Sequence, residues 1–247
     1  MKTKDVIING PAGRIEGRYH KSEDFSHPVA LVLHPHPQQG GTMNNKVAYS
    51  MFHSFAKKGF SVLRFNFRGV GRSEGEFDNG VGELLDAAIA LDWLQSQNPG
   101  APAYWVAGFS FGAWIALQLL MRRPEIVAFI VASPPDYDFS FLTPCPTPGF
   151  IIHGTDDEVV SEATVFSLYE RLSKQKNSSI EYFPIYGANH LFKGKIPELS
   201  NEVERYISEN MSLRTLQGVL KKDRRRRQPS HQVTEDSGGG DDGGDDV

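Results

Sequence analysis

Short apolar runs alternate with helical patterns along most of this chain. The runs are rich in β-branched and aromatic residues, and several are almost wholly apolar. Near-continuous apolar strands are typical of a parallel sheet covered on both faces, and strand–helix alternation favours an α/β fold with right-handed crossovers. The predicted strands are residues 5–9, 14–20, 29–33, 61–67, 103–109, 127–132, 149–153 and 180–185, the first two forming an antiparallel hairpin. The predicted helices are residues 45–58, 83–97, 111–122, 162–174 and 197–211.

Composition divides the chain into one predicted domain and one predicted tail. Residues 1–221 contain the strand and helix patterns, whereas residues 222–247 contain no aromatic residue and are dominated by charged residues and glycine. Such a segment cannot bury enough apolar area to offset its ordering entropy. We therefore predict a single domain over 1–221 and a disordered tail over 222–247. A nucleic-acid or localisation patch at Arg224 to Arg227 is the alternative reading of the tail.

Charge and cysteine content limit the partners that the sequence predicts. The net charge is −4 and the sequence pI is about 6.1, so we expect neither nucleic acid nor a membrane as a partner. No apolar run approaches the length of a transmembrane helix, and no secretory signal precedes the first strand. The single cysteine, Cys145, excludes an internal disulfide. The expectation is a cytoplasmic protein with no cofactor and no metal, and its oligomeric state stays open.

The segment Gly108-Phe109-Ser110-Phe111-Gly112 lies where a predicted strand meets a predicted helix. This is the pattern G-x-S-x-G in the strand–turn–helix setting that its mechanics require. The serine must lie on a sharp turn, and glycines two residues before and after it let the strand and helix backbones approach. We therefore predict Ser110 as a nucleophile. The alternative is a surface serine on a glycine-rich turn.

A serine nucleophile needs a general base, and on this kind of fold the histidine follows the serine and the acid in the chain. The histidines after Ser110 are His153, His190 and His231. His231 falls in the predicted tail, and His153 is expected to close an apolar strand. His190 lies in a loop just after the last predicted strand, at the sheet edge where catalytic groups gather. His190 is therefore the predicted base.

Two stretches offer the acid that would orient this histidine. One follows strand 127–132 and the other follows strand 149–153, where Gly154 permits a sharp exit from the sheet. The candidates are Asp136, Asp138, Asp156, Asp157 and Glu158. Adjacent carboxylates at a turn cannot all converge on one ion, which disfavours a metal site. The second stretch has the cleaner geometry, but the residues alone do not choose among its members.

An oxyanion hole is the remaining requirement of this chemistry. One donor should be the backbone N–H of Phe111, the residue after the nucleophile. The other should come from the loop after strand 29–33, which begins His34-Pro35-His36-Pro37. Proline has no N–H, so His36 is the predicted second donor. A metal-binding pair of His34 and His36 is the competing reading, and no third ligand is indicated.

Together these segments resemble a known family. HPHPQQGGTMNN, RFNFRGVGRSEG, GFSFG, HGTDDEVV and GANH occur in this order and look like the compact, cap-less bacterial α/β-hydrolases. The resemblance covers most of residues 20–210 and implies an α/β-hydrolase fold and a Ser-His-Asp triad working through an acyl-enzyme. In that superfamily the acid lies three residues after the glycine of a His-Gly turn, which carries over to Asp157. The family's usual His-Gly after the third strand is His34-Pro35 here.

The substrate is the least constrained part of the reading. Residues 133–148 are too short for a cap domain and are broken by prolines, so an open site is expected. The candidates for an aromatic rim, if they face the site, are Phe109, Phe111, Trp114, Phe139, Phe141 and Phe192, and packing in the core is the alternative reading of each. Such a site favours a carboxylesterase-like enzyme acting on small-molecule esters with small to medium acyl groups. The alternatives are a thioesterase, an aminopeptidase-like amidase, and a non-catalytic interaction protein that keeps the fold.

Overall fold

One eight-stranded sheet forms the centre of the protein. The structure is a computed structural model that describes residues 1–24 and 27–226, with side chains of the last helix as far as residue 212. The strands are β1 (Lys4–Gly10), β2 (Gly13–His20), β3 (Val29–Leu33), β4 (Ser61–Phe65), β5 (Tyr104–Phe109), β6 (Ile126–Ala132), β7 (Gly149–Gly154) and β8 (Ile180–Ile185). Their order is β1-β2-β4-β3-β5-β6-β7-β8, and β2 runs in the opposite direction to the other seven strands. The mostly parallel sheet with an N-terminal hairpin is confirmed.

Helices cover both faces of the sheet, as predicted. They are α1 (Lys46–Lys57), α2 (Val81–Gln97), α3 (Phe111–Arg122), α4 (Glu162–Ser173) and α5 (Ile196–Arg226). The apolar sides of α2, α3 and α4 pack in one buried cluster, and those of α1 and α5 pack in another across the sheet. The central parallel strands β3, β5 and β6 are buried on both faces, so their sequences are continuous apolar runs. The α/β class is confirmed.

One helix boundary differs from the sequence expectation for a clear reason. Helix α2 begins at Val81 rather than at Glu83. The Glu83 carboxylate accepts the backbone N–H of Gly80 at 2.7 Å and that of Asp78 at 2.9 Å, so it closes the start of the helix from inside the first turn. Because the residue before the helix is a glycine, the usual Ser, Thr, Asp or Asn signal is missing from the sequence.

No helix lies between β6 and β7, where many relatives of this fold insert a cap. Residues 133–148 form turns, and the buried Phe139 and Leu142 fold the segment back onto the α2–α3–α4 side of the core. The carboxyl edge of the central strands is therefore left uncapped. Within the described residues, none of the helices has both the length and the hydropathy that crossing a bilayer requires.

Helix α5 continues to Arg226, beyond the predicted boundary at Lys221. The rest of the predicted tail, residues 227–247, lies outside the described residues, as does His231, and its disorder stays a prediction.

A chain that ends at Lys221 should keep the melting temperature and catalytic rate of the full chain. Residues 222–247 contain no aromatic residue and only two valines, so they offer almost nothing apolar to a core. Calorimetry on both chains, with the same ester assay, measures the effect. A fall of several degrees in the shortened chain would mean that the segment packs against the domain.

Candidate active site

Ser110 lies on a strained turn between β5 and α3. Its backbone has φ 53° and ψ −120°, a region that non-glycine residues rarely adopt. A Cβ at Gly108 would lie 2.2 Å from the carbonyl oxygen of Gly112, and a Cβ at Gly112 would lie 2.5 Å from that of Leu33. Only glycine at both positions allows strand and helix to approach this closely. The sharp strand–turn–helix geometry expected of the motif is present.

His190 connects Ser110 to a buried carboxylate. Its Nε2 lies 3.1 Å from Ser110 Oγ, and its Nδ1 lies 2.8 Å from Asp157 Oδ2. The carboxylate is an acceptor, so Nδ1–H donates to it and Nε2 is left to accept the serine proton. The structure therefore brings together the three residues that the sequence predicted for catalysis, one each from the carboxyl ends of β5, β7 and β8.

The turn after β7 holds the Asp157 carboxylate in place. The second oxygen, Oδ1, accepts the backbone N–H groups of Val159 and Val160, each at 2.9 Å. Burial alone would raise the pKa of Asp157, but hydrogen bonds from His190 and from the two backbone N–H groups outweigh it and lower this pKa. The carboxylate is thus ionised at neutral pH and has one oxygen free to orient His190.

The other candidate acids are not hydrogen-bonded to His190. Asp156 is exposed and accepts a hydrogen bond from Thr155 Oγ1 at 3.0 Å. Asp138 closes a local turn by accepting the backbone N–H and hydroxyl of Ser140, both at 2.8 Å. Asp136 and Glu158 are also exposed. Of the carboxylates in the described part of the chain, Asp157 alone is hydrogen-bonded to His190.

His153 supports the turn that carries Asp157. The side chain is fully buried, its Nε2–H donates to the carbonyl of Val160 at 3.1 Å, and its Nδ1 lies 3.8 Å from Asp157 Oδ2. Burial lowers the pKa of His153, which keeps the ring neutral beside the carboxylate. The sequence predicted that His153 closes the strand. It did not predict the contacts of His153 with Val160 and Asp157, because these form only when the turn after β7 folds back over the end of the strand.

Two backbone donors lie at the N-terminal end of α3. Within the described residues, neither the N–H of Phe111 nor that of His36 has a hydrogen-bond acceptor. The loop after β3 is held against this end of the helix, since the space beside Gly112 is filled by the carbonyls of Leu33 and His34. The His36 ring also contacts the Phe111 ring, with centroids 5.1 Å apart. The structure therefore brings the loop that carries His36 beside the serine turn, and the N–H groups of Phe111 and His36 stay the predicted oxyanion donors.

His34 has no lone pair to offer a metal. It is fully buried, its Nδ1–H donates to the carbonyl of Pro35 at 2.6 Å, and its Nε2 accepts the backbone N–H of Phe67 at 3.0 Å. His36 Nδ1 in turn accepts the N–H of Gln38 at 3.2 Å. No group of three potential metal ligands occurs among the residues that the structure describes. The two histidines therefore serve the loop, and the metal-pair reading finds no support.

Burial makes His34 a source of acid sensitivity. Desolvation lowers its pKa from 6.5 to about 4, so between these values the unfolded chain binds a proton that the folded chain does not. The stability contributed by neutral His34 is therefore complete above pH 6.5 and is lost as the pH falls toward 4. From pH 7.5 to 4.5 we expect a loss of about 2 to 3 kcal/mol from this residue.

Urea unfolding of the wild type and of His34→Gln at both pH values isolates this contribution, because the glutamine does not titrate. The wild type should lose more stability than the variant on acidification. Equal losses would mean that His34 is protonated in the folded state without penalty.

Most of the candidate rim aromatics pack in the core, which is the alternative that the sequence left open. Phe109 and Phe192 are fully buried in the α1–α5 side of the core, and Phe111 and Phe139 are buried in the opposite cluster. Only Trp114 and Phe141 are partly exposed. The exposed apolar side chains near the site are instead Tyr137, Val159 and Leu191. These lie on loops beside the strand ends, where no periodic pattern marks which side faces solvent.

Comparison with known proteins agrees with the fold. The family model for the X-Pro dipeptidyl-peptidases of family S15 matches residues 21–142, which include Ser110 but end before Asp157 and His190. A crystal structure from Agrobacterium tumefaciens, of a protein of unknown function proposed to be an α/β hydrolase, is 55% identical, covers 85% of this chain and 97% of its own, and superposes with a TM-score of 0.82.

Two further solved structures, one of a serine hydrolase homologue and one of a serine hydrolase, are similar to this chain. An α/β serine hydrolase homologue from Coxiella burnetii is 33% identical, with 84% of this chain and 98% of that chain covered and a TM-score of 0.75. An α/β serine hydrolase without a lid from Xanthomonas campestris is 29% identical, with 85% and 96% covered and a TM-score of 0.75. With the uncapped sheet edge and the serine turn described above, these relationships show that the chain belongs to the cap-less α/β serine hydrolases.

Proposed function

We propose that this protein hydrolyses carboxylic esters through an acyl-enzyme, with Ser110 as nucleophile, His190 as general base and Asp157 as the orienting acid. The observation that supports this best is the continuous hydrogen-bonded path from Asp157 Oδ2 through both nitrogens of His190 to Ser110 Oγ, at 2.8 and 3.1 Å. Each distance is within reach for proton transfer without rearrangement.

The first half-reaction forms the acyl-enzyme. Ser110 Oγ attacks the ester carbonyl carbon while His190 Nε2 takes the hydroxyl proton, and Asp157 stabilises the imidazolium that results. The negative charge that develops on the carbonyl oxygen is received by the N–H groups of Phe111 and His36. Collapse of the tetrahedral intermediate breaks the bond to the alkoxide, which leaves with the proton from His190.

The second half-reaction regenerates the serine. Water attacks the acyl carbon and gives its proton to His190, the same two N–H groups receive the oxyanion, and the bond to Ser110 Oγ breaks. His190 returns the proton to the serine, and a carboxylic acid is released. No cofactor enters either half-reaction.

The surroundings of the site favour small-molecule esters with small to medium acyl groups. A cleft of about 420 Å³ adjoins the loop of His36 and is lined in part by Pro37, Gln38 and Phe77. The uncapped edge leaves the opposite side open to a leaving group of any size. An alkoxide or phenoxide also departs more easily than an amine, so ester cleavage makes the smaller demand on His190 as acid.

Peptide or aminoacyl amide cleavage is the second candidate. It is favoured by the match to the S15 X-Pro dipeptidyl-peptidases over residues 21–142. Exposed carboxylates beside the site, among them Asp136, Asp156 and Glu158, would suit the free amino group of such a substrate.

A substrate panel separates the candidates. We expect the kcat/KM for p-nitrophenyl acetate and butyrate to exceed that for an Ala-Pro p-nitroanilide by at least about 100-fold, and that for a long-chain palmitate ester to be lower than for butyrate. An acyl thioester completes the panel, and Ser110→Ala gives the background. Faster turnover of the anilide would favour a peptidase. Absence of turnover together with absence of fluorophosphonate labelling would identify a non-catalytic relative.

A further inference from the structure

The peptide unit between Pro35 and His36 has its two ends in different surroundings. Its carbonyl oxygen accepts the short hydrogen bond from His34 Nδ1–H, at 2.6 Å. Its N–H belongs to His36 and has no acceptor within the described part of the chain. The bond is trans, so the carbonyl and the N–H point in opposite directions in one plane. Fixing the oxygen therefore fixes the direction of the N–H.

The His34 ring is itself immobilised. It is fully buried, packs against the Phe67 ring with centroids 4.7 Å apart, and accepts the Phe67 N–H on its other nitrogen. That second bond requires Nε2 to be unprotonated, so the proton must be on Nδ1 and the ring must donate to Pro35. Because Phe67 lies two residues beyond the end of β4, His34 connects the loop after β3 to the segment after the neighbouring strand.

The rest of the loop leaves the carbonyl no other position. The ring of Pro35 fixes its φ near −65°, so ψ is the remaining torsion that sets the direction of the Pro35 carbonyl, and the hydrogen bond from His34 restrains it. A Cβ at Gly41 would lie 2.2 Å from the Pro35 oxygen, which shows how tightly the loop closes over it. The carbonyl of His36 accepts the N–H groups of Gln39 and Gly41 at 3.1 and 3.0 Å. Within this frame the His36 N–H points away from the carbonyl that His34 holds, and the loop that carries it packs against the start of α3.

We propose that His34 is a positioning residue for the oxyanion hole, whose side chain holds the Pro35 carbonyl and thereby aims the His36 N–H at the oxyanion that forms on attack by Ser110. This inference rests on the proposed function, because it needs an oxyanion at Ser110. It also gives a role to the proline that follows His34. Proline has no N–H to donate, but its carbonyl accepts the hydrogen bond by which His34 orients the peptide unit that carries the His36 N–H.

Two substitutions of His34 separate positioning from structural support. In His34→Asn the amide nitrogen is as many bonds from Cα as Nδ1 is, so it can donate to Pro35 but cannot reach the Phe67 N–H. In His34→Gln the amide oxygen matches Nε2, so it can accept from Phe67 but leaves the Pro35 carbonyl free. Each variant keeps one of the two hydrogen bonds and loses the other.

The two variants should differ in opposite ways, one losing catalytic rate and the other losing stability. His34→Gln should lower kcat for p-nitrophenyl butyrate by about 100-fold, close to the loss of one oxyanion donor, with KM within about threefold of wild type. Its affinity for a trifluoromethyl ketone, which forms a hemiketal oxyanion on the serine, should fall in the same proportion. His34→Asn should keep kcat within about fivefold of wild type and have the lower melting temperature, because the buried Phe67 N–H is left unpaired.

The rate of fluorophosphonate labelling of Ser110 serves as a second measure, since it needs no natural substrate. The inference is overturned if His34→Gln keeps its kcat and labelling rate, or if both variants lose activity in proportion to their loss of melting temperature. A wild-type protein that hydrolyses and labels normally beside an equally active His34→Gln would sink this inference and leave the proposed function standing. A wild type that neither hydrolyses nor labels would overturn both.

Discussion

Ser110→Ala should lower kcat for p-nitrophenyl butyrate by at least about 10⁴-fold and abolish labelling by a fluorophosphonate. Without Oγ there is no atom at the apex of the β5–α3 turn to attack the carbonyl carbon, and His190 Nε2 loses the proton donor that lies 3.1 Å away. The melting temperature should change little, because alanine meets the same strain at φ 53° as serine does. Steady-state kinetics, labelling and calorimetry on the same preparations measure the three effects.

Two other serines provide matched controls. Ser133 lies at the end of β6, is fully buried and also has a positive φ, of 41°. Ser73 donates its hydroxyl to the carbonyl of Asn66 at 2.7 Å and is buried in the loop after β4. Substituting either by alanine should leave labelling intact. Labelling that survives in Ser110→Ala, or that is found on Ser133 or Ser73, would remove Ser110 from the role of nucleophile.

The α/β class could be predicted because strands that are buried on both faces have almost wholly apolar sequences. β3, β5 and β6 are apolar runs of five to seven residues, too short for a typical helix, and glycine and proline lie near their ends. Ser110 could be predicted for a related reason. A serine flanked by glycines between an apolar strand and a helix is a local feature, and a local feature can be recognised in the sequence without knowledge of the fold.

What depends on contact across the sheet could not be predicted in the same way. The direction of Phe109 and Phe192 into the α1–α5 core, rather than toward a substrate, follows from how two loops pack. The His34 ring is likewise hydrogen-bonded to Pro35 and to Phe67, and Phe67 lies 33 positions from His34 in the chain. No spacing rule connects His34 with Phe67, so the sequence suggests a metal pair with His36 as a role for the His34 side chain and does not predict these hydrogen bonds.

Asp157 is the intermediate case. Three carboxylates in a row give no periodicity, and only resemblance to a family chose the middle one. The structure supplies a physical reason for that choice, since the N–H groups of Val159 and Val160 both reach Asp157 Oδ1 and turn Oδ2 toward His190. Asp156, one residue earlier, faces solvent instead.

Asp157→Asn should lower kcat by roughly 10⁴-fold. The two backbone N–H groups require an acceptor, so the amide oxygen should take the place of Oδ1, and the amide nitrogen must then face His190 Nδ1. A donor at that position forces the proton of His190 onto Nε2, where the ring can no longer accept the proton of Ser110 Oγ. Because the volume and both backbone hydrogen bonds are kept, the melting temperature should stay within a few degrees of wild type.

Asp156→Asn is the control that makes the Asp157 result specific, since it changes the same charge one residue away at an exposed position and should stay within about tenfold of wild type. The pH dependence of kcat adds a second distinction. If Asp157 acts only by fixing the tautomer, Asp157→Asn should recover activity in alkaline solution, where hydroxide in place of the neutral imidazole removes the serine proton. A crippled Asp156→Asn or Asp136→Asn beside a nearly silent Asp157→Asn would move the acid to that residue. It would also mean that the 2.8 Å contact between Asp157 and His190 serves the turn after β7 rather than the reaction.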